Sequence, residues 1–193
     1  MVLTPREFAH KESKPIALGW VVAARAALLN RSGPLTQAAL EINFAWARVG
    51  PEKRDAQLRH IGASFASIES VLIESSRRFV DVTEERAAEI FGKDGVPPAY
   101  AIFADRVYFT PYFREFGPMC RAAMVVHESV HVFDRRSGEP EIHISEWDEQ
   151  FETRSPEQQL HNPSAYASFA AQVYEQKLEW PRSVRFGAGN PAL

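Results

Sequence analysis

The stretch that most constrains this chain is Met124-Val125-Val126-His127-Glu128-Ser129-Val130-His131-Val132-Phe133, a His-Glu-x-x-His pattern inside an uncharged, largely apolar run. Written as a helix, it puts His127 and His131 on one face with Cβ atoms about 5–6 Å apart, a spacing that suits two ligands of one tetrahedral ion. Glu128 follows the first ligand directly and falls beside the open coordination position. There its carboxylate can take a proton from an attacking water and return it to a leaving amine. A single histidine on an apolar face is ordinarily structural, but burying two imidazoles and a carboxylate without a metal would cost about 1–3 kcal/mol per unsatisfied group. The pattern therefore predicts a buried helix carrying one zinc ion, held by His127, His131 and a third protein ligand from elsewhere in the chain.

Length and charge narrow the partners. At 193 residues, with 45% hydrophobic and 24% charged residues, the chain is expected to form a single domain over 1–193, with loose termini at 1–15 and 187–193. A net charge of −3 with no Lys/Arg block argues against nucleic acid as a partner. The one cysteine, Cys120, excludes an internal disulfide and leaves zinc to nitrogen and oxygen ligands. The apolar run from Ile16 is interrupted by Arg25 after nine residues, short of the ~20 that span a bilayer. Lys11 and Lys14 precede a run that reads better as a helix face than as a secretory signal. The expected location is thus cytoplasmic, or outside the cell by a signal-independent route.

Periodicity predicts a mainly helical chain with a small β-hairpin, an α+β fold. Ala- and Leu-rich residues 16–30 form a first helix. A second, over 35–49, buries Leu35, Ala38, Ala39, Ile42, Ala45 and Trp46, and a third starts at Pro51 and buries Leu58, Ile61, Phe65, Ile68 and Leu72. Residues 79–82 read as a short strand, and Thr83 caps a helix ending near Gly92. Tyr100-Ala101-Ile102-Phe103 and Val107-Tyr108-Phe109-Thr110 read as a hairpin turning at Asp105-Arg106, just before the metal helix of about 118–134. Such a strand can hold a peptide substrate as an added strand, or serve packing alone. Farther on, Ser155-Pro156-Glu157-Gln158 and Asn162-Pro163-Ser164 are capped helix starts, the second opening a last helix with Tyr166, Phe169, Ala170, Val173 and Tyr174 on one face.

The third ligand falls in the segment after the metal helix, among Glu141, His143 and Glu146. In an extended segment His143 points opposite to its neighbours Ile142 and Ile144, and imidazole suits zinc, which places it first. Glu146 is second, because it follows Ser145 and can be spent on capping. Glu141, after a turn, is the least constrained. Tyr166 is either a donor to the oxyanion of a tetrahedral intermediate or a core aromatic of the last helix, and both readings stay open.

Three blocks of the chain resemble the deuterolysin and lysine-specific metalloendopeptidase group, the aspzincin zinc peptidases, and their bacterial relatives. They are residues 107–113, the His127–His131 motif, and His161-Asn162-Pro163-Ser164-Ala165-Tyr166-Ala167-Ser168-Phe169-Ala170, which is similar to that family's Asn-Ala-Asp-Ser-Tyr-x-x-Phe string. The resemblance implies a mostly helical endopeptidase with a small hairpin, one catalytic zinc, a Glu base and a peptide or protein substrate. The family's third ligand is an Asp in Gly-Thr-x-Asp-x-x-Tyr-Gly, a string missing here; alignment places Glu141 or His143 in its stead. The family's paired cysteines are missing as well, and no acidic pocket for a substrate lysine is evident. A non-catalytic, metal-stapled interaction or effector module is the alternative reading.

Overall fold

The computed structural model describes residues 9–93, 95–102, 105–137, 142, 144 and 148–179. Helices α1 (Ala9–Leu29), α2 (Pro34–Phe44) and α3 (Pro51–Ile73) make up the N-terminal half, followed by the single turn α4 (Ser75–Arg78). Strand β1 (Phe79–Asp81), helix α5 (Glu84–Phe91) and strands β2 (Ala99–Tyr100) and β3 (Val107–Phe109) come next. The long helix α6 (Pro118–Ser137) is followed by the short α7 (Gln150–Thr153) and α8 (Pro156–Gln159), and then α9 (Pro163–Glu175). The chain is thus mainly helical with a three-stranded sheet of order β1-β3-β2. The hairpin forms as an antiparallel pair, Ala99 opposite Phe109 and Tyr100 opposite Tyr108. Its second strand also takes β1 on the other side in parallel, Phe79 opposite Val107.

One buried helix organises the rest. Every residue of α9 from Pro163 to Val173 is buried, as expected of a helix packed on several sides, and it lies against α1, α2 and α6. Phe169 sits at ring-centroid distances of 5.7 Å from both Phe44 and Phe65, and Tyr166 at 5.2 and 5.4 Å from the same two rings. Tyr174 leaves this face and is about half exposed, and α9 closes at Gln176 in a left-handed cap.

Three expectations shift. Helix α1 starts at Ala9, well before Ile16, and runs through Pro15, whose ring removes a helical hydrogen bond and ordinarily costs about 3 kcal/mol. Docking offsets this. His10 is buried, stacked on Phe109 at 5.1 Å with Nδ1 3.2 Å from Asp81 Oδ1, and Ser13 is fully buried. Helix α2 stops at Phe44, because Ala45 adopts a left-handed φ of 51° and a 3-10 turn over Trp46–Arg48 follows. Its buried face is Thr36, Ala39, Leu40, Asn43 and Phe44, while Ile42 is exposed. Phe44 has more apolar area to bury than Ile42, and Asn43 donates from Nδ2 to Gln172 Oε1 at 2.6 Å.

Candidate metal centre

Two anchors place the start of α6. Thr110, just after β3, donates its backbone N–H to Pro98 O at 3.0 Å and its hydroxyl to Pro97 O at 2.9 Å. Phe113, in the 3-10 turn Pro111–Glu115, is buried with its ring 4.7 Å from Phe109. From there α6 runs between α1, α3 and α9, with β2 and β3 also against it. Cys120, Ala122, Ala123, Met124, Val125, Val126, Val130 and Val132 are all buried, which is why the uncharged run could enter the core. Ser129 fits the same surroundings by donating its hydroxyl back to Val125 O at 2.6 Å.

On one face of this helix the structure brings together three of the residues picked from the sequence. His127 and Glu128 are half-buried and His131 is buried, and one ligand atom from each lies within 4.8 Å of the others. The two imidazoles turn the same nitrogen toward each other, Nε2 to Nε2 at 3.3 Å, with rings inclined at 68°. Two nitrogens each about 2.0–2.1 Å from a tetrahedral zinc would stand about 3.3–3.4 Å apart. The donor set therefore fits zinc without a change in the separation of the rings.

The other nitrogen of His127 faces a different helix. Ser164 Oγ, in the first turn of α9, is 3.4 Å from His127 Nδ1. Asn162 caps that helix, accepting Ser164 N–H at Oδ1 (3.3 Å), while its Nδ2 donates to Ile144 O (3.0 Å) and Gln159 Oε1 (2.9 Å). Ile142 N–H donates to His161 O at 3.2 Å. The third-ligand candidates Glu141, His143 and Glu146 lie outside the described residues.

Of its two readings, the contacts of Tyr166 are those of a core aromatic of the last helix. It is fully buried; its hydroxyl donates to Leu160 O at 2.8 Å and lies 3.2 Å from Ser64 Oγ. Burial pushes the phenol far above its ordinary range, with the Ser64 hydrogen bond opposing the shift and the Asp134 carboxylate adding to it. Asp134 belongs to none of the sequence motifs above. It is a buried carboxylate one turn beyond His131, and the 127–131–134 spacing, i, i+4 and i+7, puts it on the same helix face as the two histidines.

No family model and no curated protein sequence matches this chain. Among solved structures it is similar to a zinc peptidase from Grifola frondosa, with a TM-score of 0.61 and 16% identity, covering 88% of this chain and 96% of that one. At that identity the likeness carries the fold. No helix among the described residues is long and apolar enough to cross a membrane.

Proposed function

We propose that this chain is a zinc-dependent endopeptidase related to the deuterolysin and lysine-specific metalloendopeptidase group. The observation that carries the reading is the pair of Nε2 atoms 3.3 Å apart with Glu128 in the same cluster, on the central helix of a zinc-peptidase fold. His127 and His131 would hold the ion through Nε2, with His143 or Glu146 as the third protein ligand. A zinc ion held there would supply Lewis acidity toward a water and a scissile carbonyl. Glu128 accepts the proton of the attacking water and passes it to the leaving amine. His131 is buried and His127 and Glu128 are half-buried, so charge interactions on this face are screened less than in open water.

Elemental analysis of the purified full chain is expected to find about one zinc per molecule, and a peptide-library digest is expected to show internal cleavage that chelation abolishes and zinc restores. A chain without bound zinc would overturn the proposal. Zinc that raises the melting temperature while no peptide is cut would instead leave the metal-stapled interaction module. Comparing zinc content in His143→Ala and Glu146→Ala identifies the third ligand. If both retain full zinc, neither is the ligand.

Tyr166 is assigned a supporting role in the core. Tyr166→Phe is expected to cleave peptides within a few-fold of the wild type while losing about 1 kcal/mol of stability at neutral pH from the hydrogen bond to Leu160 O. Its phenol titrates higher in the folded than in the unfolded chain, so its contribution to stability is intact below about pH 10 and falls as pH rises beyond that. Alkaline unfolding should therefore be less steep in the Phe variant. A 100-fold loss of cleavage with unchanged melting would return Tyr166 to the chemistry.

A further inference from the structure

We infer that Ser164 and Asn162 are positioning residues for the metal centre: Ser164 sets the tautomer and orientation of His127, and Asn162 ties Ser164 to the backbone at Ile144. The inference rests on the zinc reading and deepens it. An imidazole that gives Nε2 to a metal must carry its proton on Nδ1, and that N–H needs an acceptor when it faces protein. Ser164 Oγ is the group placed there, 3.4 Å from Nδ1, buried, and on the opposite side of the ring from the Nε2 that faces His131. A serine hydroxyl can accept while directing its own proton elsewhere. At 3.4 Å the contact is long for a hydrogen bond.

Asn162 does more than an N-cap requires. Capping uses only Oδ1, and Ser or Asp would serve equally. Here the amide is fully buried and its two N–H groups are both used, one on Gln159 Oε1 and one on Ile144 O. Gln159 in turn donates to Phe151 O at 2.6 Å. Together with the Ile142 N–H to His161 O bond, this staples residues 142 and 144 to the turn that starts α9. The same asparagine thus ties the helix that carries Ser164 to the backbone at Ile144, while its neighbour His161 holds Ile142.

The test measures zinc affinity by competition with a chromogenic chelator, alongside the melting temperature of the metal-free protein. Ser164→Ala is expected to weaken zinc binding about 10-fold, the lower end of what loss of a ligand's hydrogen-bond partner costs, with little change in metal-free melting. Ser164→Thr should restore it. Nitrogen-15 NMR of the metal-free protein should show His127 protonated at Nδ1 in the wild type and a tautomer mixture in Ser164→Ala. Asn162→Ser keeps a capping oxygen and removes the amide donors, and is expected to weaken zinc 10- to 100-fold. Wild-type affinity in both variants, or lowered melting with unchanged affinity, would overturn the inference while leaving the zinc reading intact. Failure of the wild-type chain itself to bind zinc is a different result, and removes both.

Discussion

Glu128→Gln is expected to keep its zinc and its melting temperature while peptide cleavage falls by about 10²- to 10⁴-fold, the range that a positioned general base contributes. The amide has nearly the shape of the carboxylate but cannot accept the water's proton. Glu128 is half-buried on a helix whose other faces are packed, so the swap disturbs little besides the chemistry. Because the two histidines stay in place with their Nε2 atoms 3.3 Å apart, zinc content should be unchanged. The measurements are kcat on a cleaved peptide and zinc per chain. Full activity in the variant would mean that another group takes the proton. Loss of zinc together with activity would mean that Glu128 is a ligand and not a base.

Phe169→Ala should be the most damaging change to stability, at about 3–5 kcal/mol, or about 6–20 °C in melting temperature for a chain of this size. Phe169 is fully buried and its ring meets Phe44 of α2 and Phe65 of α3, so its removal opens a void where three helices converge. Relaxation into that void is limited, because Tyr166, one turn away, packs on the same two rings and is held at Leu160 O. Denaturant unfolding measures the loss. A change below 1 kcal/mol would mean that α9 is not the helix around which the core is built.

The parts of the site legible from the chain alone are those set by spacing within one element. A spacing of four from His127 to His131 settles that the rings share a face, and the uncharged flanks settle that this face can be buried. The same holds for caps: Thr83 accepts from Arg86 N–H, and Ser155 and Gln158 form the reciprocal capping box, as the local order of residues implies. The errors arise where a distant partner decides. Periodicity alone leaves the rotation of α2 open between Ile42 and Asn43 with Phe44. The choice falls to Gln172 and Tyr166, over 120 residues later. Pro15 reads as a helix boundary, and the docking of His10 against Phe79, Phe109 and Asp81 on the far side of it accompanies a helix that runs through.

Tyr166 and Ser164 mark the same division within the site. Both lie in the block that resembles the peptidase family, two residues apart, and sequence offers no means of telling which faces the metal. On a helix, residues two apart point about 200° from each other. In the folded chain Ser164 meets His127 and Tyr166 turns into the core toward Ser64 and Leu160. The pairing of His127 with His131 and the place of Glu128 beside them follow from the order of residues, because a helix converts spacing into geometry within a single turn. Which side chain of α9 supports them depends on the rotation of one buried helix against another, and that is settled by packing among α1, α2 and α6, which no local stretch of the sequence contains.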